Sequence, residues 1–230
     1  KVLSQQVPSG ARNQPYVFPL EVTQDGKILV GGIFAIIADQ VQPNLARLHA
    51  DGSFDESFRP VVDGIVSTVK ELPDGRILIG GRFENVNGVR RFYLARLLPD
   101  GTNDPNFQPG HGIGAFSGRV SALAIQADGH IIIGGRFDTI SGVQRGNLAR
   151  LKPDGSLDET FNTPMGVNGP IAQVHLVPDG RIYISGEFTS VAGRTTRKIA
   201  RLLPSGLLDL TFDTKNAFRR NTTGIVPLRD

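Results

Sequence analysis

Hydrophobic and polar positions along the chain fall into a short motif that comes back four times. "DGRILIGGRF" at 74–83 sets a polar turn pair ahead of three branched apolar residues, two glycines and an aromatic. The same order stands at 25–34 as "DGKILVGGIF", at 128–137 as "DGHIIIGGRF" and at 179–188 as "DGRIYISGEF". An apolar pair precedes each turn: Val17 and Leu20, Val66 and Val69, Val120 and Leu123, Ile171 and Val174. A second element, L-A-R-L, follows at 45–48, 94–97 and 148–151, and as I-A-R-L at 199–202. A third closes each unit: "DGSFDESF" at 51–58, "DGTNDPNF" at 100–107, "DGSLDETF" at 154–161 and "SGLLDLTF" at 205–212. The anchors Phe34, Phe83, Phe137 and Phe188 lie 49, 54 and 51 residues apart. A near-constant period in this range signals a repeat architecture.

Each unit reads as a short strand, an Asp-Gly turn, an apolar strand, a glycine-bearing loop, the L-A-R-L strand, a second turn and the Asp-x-x-Phe segment, which makes four extended elements. The run Ile77-Leu78-Ile79 has no polar alternation, the pattern of a strand covered on both faces. Leu, Ala and Arg are good helix formers, but Pro43 and the Asp51-Gly52 turn leave the first L-A-R-L too short for anything but a strand. Four-stranded units in series are blades of a β-propeller; leucine-rich and β-helical solenoids use shorter periods, and helical repeats would not carry these glycines. The expectation is a single all-β domain, a β-propeller of four recognisable blades at about 16–63, 64–117, 118–168 and 169–216. At the ends, "GIVPLRD" at 224–230 matches "GIVSTVK" at 64–70, and "VPSG" at 7–10 matches "LPSG" at 203–206. Either the segments 1–15 and 217–230 complete one another into a further blade, or the chain is part of a larger propeller.

The combination of D-G-[KRH]-I-[LIY]-[VI]-[GS]-G-x-F, L-A-R-L and D-G-S-x-D-x-x-F resembles the delta-60 repeat family of bacterial β-propeller modules of unknown function. The resemblance covers about residues 16–216, with three separated motifs in the same order in each copy. It implies a propeller from a large secreted or surface-associated bacterial protein, or from a phage structural protein, placed outside the cell or at its surface. It implies no reaction.

Composition narrows the function classes. With 39% hydrophobic and 20% charged residues among 230, the chain is that of a folded protein, and its 28 glycines and 15 prolines are spread out as turns rather than gathered in a linker. A net charge of +3 with interleaved signs and no basic run carrying aromatics argues against a nucleic-acid partner. No cysteine is present, which removes disulfides, thiolate metal sites and cysteine nucleophiles. No apolar run reaches the length of a membrane span, so membrane insertion is not expected, and there is no signal-peptide pattern. The first residue is Lys1 rather than methionine, as in a mature product or an excised segment.

Candidate sites follow from what does and does not repeat. The pairs Asp51/Asp55, Asp100/Asp104 and Asp154/Asp158 put carboxylates at i and i+4, a spacing found in calcium loops. Calcium takes six to eight oxygens, and the fourth copy has Ser205 in the first place, so turn formation and backbone capping weigh more and no cofactor is expected. Arg47, Arg96, Arg150 and Arg201 recur once per unit and read as a packing device, ion-paired to an Asp of the Asp-x-x-Phe segment. Arg91, Arg145 and Arg197 end the variable loops "ENVNGVRR", "DTISGVQR" and "TSVAGRTTR", with Gln42 in the first copy. On one propeller face they would form a partial basic ring for an acidic protein or an anionic surface glycan. The glycine-rich "PGHGIGAFSG" at 109–118 lacks the Lys-Ser/Thr pair of a phosphate loop. His49, His111, His130 and His175 have no ligand spacing, and Glu84, Asp138 and Glu187 are the only carboxylates beside the anchors for a glycosidase pair. The reading is a non-catalytic interaction or scaffold module, with a lectin-like propeller second and a glycan-processing enzyme third; zero tryptophans and three tyrosines weaken sugar stacking.

Overall fold

The computed structural model of the chain describes residues 15–110, 113–114, 118–196 and 198–212. Of the segments expected to close the ring, 1–15 and 217–230, all but Pro15 lie outside the described residues. Every regular element described is a strand, and the fold is an all-β propeller of repeated blades. Among the described residues there is no helix long and apolar enough to cross a membrane.

Each unit contributes one antiparallel three-stranded sheet with its strands in chain order. The first, middle and third strands are Tyr16–Val22, Ile28–Ile33 and Leu45–Leu48 in unit one, and Ile65–Glu71, Ile77–Arg82 and Leu94–Leu97 in unit two. In unit three they are Arg119–Ile125, Ile131–Arg136 and Leu148–Leu151; in unit four, Ile171–Leu176, Ile182–Gly186 and Ile199–Leu202. The L-A-R-L segments are therefore strands, as their length and flanking turns imply. The Asp-Gly pairs make hairpin turns: the Gly75 amide reaches Leu72 O at 2.9 Å, and Gly75 takes φ +79°, a region its lack of a Cβ leaves open.

The fourth extended element expected in each blade is reduced to a single bridge, at Leu48–Phe54, Leu97–Asn103, Leu151–Leu157 and Leu202–Leu208. Its aspartate is the reason. Asp55 Oδ1 accepts from the Ser57 amide at 3.0 Å and the Phe58 amide reaches Asp55 O at 3.1 Å, so the chain turns instead of extending. The loop between middle and third strands also holds a small hairpin of two two-residue strands that the sequence pattern does not predict, such as Asn85–Val86 with Val89–Arg90.

The core lies between the sheets. Ile77 and Ile79 pack towards unit one with Leu29, Leu45 and Phe58, while Leu78, between them, packs towards unit three with Ile131 and Ile133. Both faces of the middle strand are covered, which is why its pattern does not alternate. The two glycines have separate tasks. A Cβ on Gly80 would stand 2.7 Å from Val120 Cγ1 of the next unit, and Gly31 and Gly134 face Val66 and Ile171 in the same way at 2.8 and 2.7 Å. A Cβ on Gly81 would meet Ile65 O of its own sheet at 2.0 Å, where the register shifts between Val66 and Thr68 at a bulge.

A buried polar joint accompanies these contacts. Arg47, Arg96, Arg150 and Arg201 each place Nε on an Asp Oδ2: Asp55 at 2.7 Å, Asp104 at 2.7 Å, Asp158 at 2.6 Å and Asp209 at 2.8 Å. The contact is single rather than forked, because Nη1 turns to the following unit and donates to Pro99 O from Arg47, to Pro153 O from Arg96 and to Pro204 O from Arg150. The guanidinium lies over the phenylalanine three residues beyond the Asp, 4.6 Å from the Phe58 centroid and 4.7 Å from that of Phe107. That ring in turn abuts the second-turn glycine of the next unit, Gly101 for Phe58 and Gly155 for Phe107. The residue after the first Asp-Gly pair supplies a second cation: Lys27 at 3.0 Å from Asp55 and Arg76 at 3.1 Å from Asp104, with His130 at 3.7 Å from Asp158 when protonated.

Burial pushes the Asp158 carboxyl up, but the Thr160 hydroxyl and amide and the Arg150 guanidinium outweigh it and hold the group at about 2. Asp55 and Asp104 are held below the usual carboxylate range against the same burial, by Ser57, Lys27 and Arg47 and by the Asn106 amide, Arg96 and Arg76.

Two outcomes are expected. Gly80→Val should cost about 3 kcal/mol through overpacking against Val120, read by urea denaturation; unaltered stability would refute the role given to this glycine. The carboxylates titrate lower in the folded than in the unfolded chain, so their stabilisation is complete above about pH 4 and drains away as pH falls towards 2. Thermal melts should show Tm declining across that window.

Candidate functional site

Antiparallel order assigns the loops to two sides. The first and second turns of each unit, Asp-Gly in every case but Ser205-Gly206 of unit four, leave from one end of the strands. The variable hairpins and the links between units leave from the other, where Val62 bridges Val86 and Val167 bridges Val191. Asp63 fastens this side in unit two by accepting the Glu84 and Asn85 amides at 2.9 and 3.0 Å, and Asn168 does so in unit four for Thr189 and Ser190 at 2.9 and 2.8 Å.

Arg91 and Arg145 occupy one position in successive units. Their amides reach Glu84 O and Asp138 O, both at 2.7 Å, and their Nη1 atoms fold back on Arg90 O and Gln144 O at 3.1 and 2.9 Å. In unit one that place belongs to Gln42, buried and donating to Leu45 O and Pro60 O at 2.9 and 2.7 Å. In unit four it belongs to Thr196, whose amide reaches Thr189 O at 2.9 Å. Arg197 is one residue further on and lies outside the described residues. Thus Arg91 and Arg145 are brought to the same side, each engaged with its own loop.

The two aspartates of each candidate calcium loop have different neighbours. Asp51, Asp100 and Asp154 accept from the hydroxyls of Ser53, Thr102 and Ser156 at 2.6, 2.6 and 2.7 Å, while Asp55, Asp104 and Asp158 are buried on their arginines. Among the described residues no three His, Asp or Glu side chains gather into a set that could hold a metal ion. His111 is outside the described residues. Glu84, Asp138 and Glu187 are exposed on the hairpin side, one in each of three units.

Sequence reasoning missed a second arginine set on this side. Arg82 and Arg136 end the middle strands of units two and three, and Arg119 begins the first strand of unit three; all three are exposed. Arg119 and Arg136 are direct cross-strand partners, a like-charge pairing that disfavours the sheet. Arg82 is two residues beyond Gly80, which meets Val120 of unit three, and Arg136 is two beyond Gly134, which meets Ile171 of unit four, so these two arginines hold the same place at successive joints. Among the described residues none of the three has an ion pair or side-chain hydrogen bond. The x of G-G-x-F was the available signal, reading Ile33, Arg82, Arg136 and Glu187 in the four copies.

The model of a family described as "Domain of unknown function (DUF5122) beta-propeller" matches residues 23–58, 72–107, 126–161 and 178–212, together more than half of the chain. No curated protein matches. Similar solved structures include a protein of unknown function from Bacteroides caccae, 13% identical over 86% of this chain and 67% of that one, with a TM-score of 0.46. Another is the extracellular domain of a putative hybrid two component system from B. thetaiotaomicron, 17% identical over 80% and 21%, TM-score 0.48. A third is PorZ, described as an essential bacterial surface component of the type-IX secretion system of Porphyromonas gingivalis, 11% identical over 87% and 27%, TM-score 0.48. The chain spans about two thirds of the first and between a fifth and a third of the other two.

Because the inner aspartates are already neutralised by arginine, Tm should be equal in EDTA and in millimolar calcium, measured by differential scanning fluorimetry; a calcium-dependent rise would assign the Asp loops to an ion.

Proposed function

The chain belongs to that β-propeller family of unknown function, and from this premise we propose that it is a non-catalytic interaction module whose hairpin side binds an acidic segment of a protein partner. A location outside a bacterial cell, at its surface, or in a phage particle accords with the resemblance of its repeats to secreted and surface-associated modules. One observation carries the reading: Arg119 faces Arg136 across a strand pair, with Arg82 exposed at the place in unit two that Arg136 holds in unit three, and none of the three has a described anionic partner. Like charges held together in this way lower the cost of binding an anion, since the partner relieves a repulsion already present in the free protein. The turn side offers no such surplus, because its aspartates are engaged by Lys27, Arg76, Arg47 and Arg96.

A catalytic role has less support. Glu84, Asp138 and Glu187 stand in separate units, and a glycosidase needs two carboxylates flanking one bond. An anionic glycan would satisfy the same arginines, but the chain has no tryptophan and three tyrosines to stack on sugar rings.

Binding of a poly-glutamate peptide and of heparin, measured by interferometry at low and high salt, tests the proposal. Poly-glutamate should bind in a salt-sensitive way and lose about tenfold in affinity in the Arg82→Ala/Arg119→Ala/Arg136→Ala triple variant, with Tm equal or slightly higher because the Arg119–Arg136 repulsion is gone. Preference for heparin would move the reading to a glycan. Equal binding by the triple variant would overturn the site.

A further inference from the structure

Three joints tie the four units together, and each has a giving and an accepting half. The giving half is the Arg–Asp–Phe arm with the first glycine of Gly-Gly. The accepting half is the first-strand apolar pair and the second turn of the unit that follows. In units two to four the accepting pairs are covered: Val66 and Val69 are 0% and 2% exposed, and Val120, Leu123, Ile171 and Val174 are all buried.

The corresponding residues of unit one are open. Val17 is 52% exposed and Leu20 64%, with Tyr16, Phe18 and Val22 exposed beside them. No atom of the described residues lies within 4 Å of where a Cβ on Gly52 would stand, whereas the equivalent Gly101, Gly155 and Gly206 each abut a phenylalanine of the preceding unit. Val30 of the middle strand, Phe34 just beyond it and Ala46 of the third strand form a small cluster that, among the described residues, contains none from another unit. Unit one has the accepting half of the joint without the giving half.

Unit four does not supply it. There the arm closes on its own sheet: Arg201 Nη1 donates to Tyr183 Oη at 3.3 Å instead of to a carbonyl of another unit, and Phe212 meets the Tyr183 ring edge-on at 5.4 Å. Tyr183 stands where the other units have Leu29, Leu78 and Ile132, and Ser185 replaces the glycine of Gly31, Gly80 and Gly134. At those three positions a Cβ would come within 2.8 Å of the next unit's Val66, Val120 or Ile171, so a serine refuses the branched residue that the joint inserts.

We propose that the exposed face of unit one, around Val17, Leu20 and Gly52, is a docking surface for a further repeat unit carrying an Arg–Asp–Phe arm and a glycine at the Gly31 position, and that the fourth unit of a second copy does not fill it. Continuity with the three joints inside the chain identifies the occupant, because the vacant half already has the residues those joints cover.

A chain in which residues 1–14 are replaced by a second copy of residues 15–63 supplies such a unit. With Leu20→Cys in the original first unit as its one thiol, it should react with a maleimide several-fold more slowly than the full chain carrying Leu20→Cys, and it should melt on the order of 5 °C higher. Phe58→Ala placed only in the added copy should restore the fast thiol reaction and cancel the rise in Tm while the β-sheet circular dichroism persists. Unchanged thiol reactivity and Tm, loss of the β-sheet spectrum on adding the unit, or a gain that survives Phe58→Ala would overturn the proposal. So would sedimentation of the full chain as a dimer that Leu20→Asp converts to monomers, since a second copy would then cover the face.

Discussion

The buried contact between one arginine, one aspartate and one phenylalanine is the constraint on which the packing of this protein turns. Arg96 and Asp104 are almost wholly withdrawn from water, and an ion pair in that setting is tolerable only if its remaining donors and acceptors are satisfied. Here they are, and the manner matters. Nε goes to the carboxylate, Nη1 to a carbonyl of the next unit, and the flat face of the guanidinium to a phenylalanine that itself rests on the next unit's turn. Removing either charge would leave the other buried and uncompensated, at a cost of about 3–5 kcal/mol. Compared with an apolar replacement the pair need not add net stability; its directional bonds set how one sheet sits on the next, which a greasy contact alone would leave free to slide.

That arrangement divides the molecule chemically. At the turn ends, aspartates and cations are absorbed by hairpins and joints. On the opposite side the same repeat imposes little, and the residues there differ from unit to unit: Gln42, Arg91, Arg145 and Thr196 at one position, Ile33, Arg82, Arg136 and Glu187 at another. A scaffold that satisfies its own charges on one side leaves the other free to carry recognition, and the unpaired arginines of units two and three are where that freedom has produced a surplus of one sign.

Repetition also makes the exceptions informative. Glycine at positions 31, 80 and 134 is demanded by a neighbouring unit's side chain, whereas glycine at positions 32, 81, 135 and 186 is demanded by the backbone of its own sheet. Only the first kind is replaced, by Ser185 in unit four, and the same unit turns its arginine onto Tyr183. The second kind persists in all four units because the bulge it permits belongs to the sheet itself.

Much of this was written in local pattern. Period, turn pairs, apolar runs and Gly-Gly identify the strands, the blade-like unit and the two-sided burial of the middle strand, because these depend on residues close together in the chain. The once-per-unit arginine and its aspartate could be paired from sequence, since eight residues and a hairpin separate them. What spacing could not reveal was the reach of that arginine into the next unit, the second cation after each Asp-Gly pair, or the collapse of the fourth strand to one bridge; each depends on how two sheets meet. The candidate site shows the same limit. Counting from the anchors grouped Arg91, Arg145 and Arg197, but hydrogen bonding puts Thr196 in the shared place. The facing of Arg119 and Arg136 exists only through strand register, which brings residues distant in the chain to one another and which no single segment encodes.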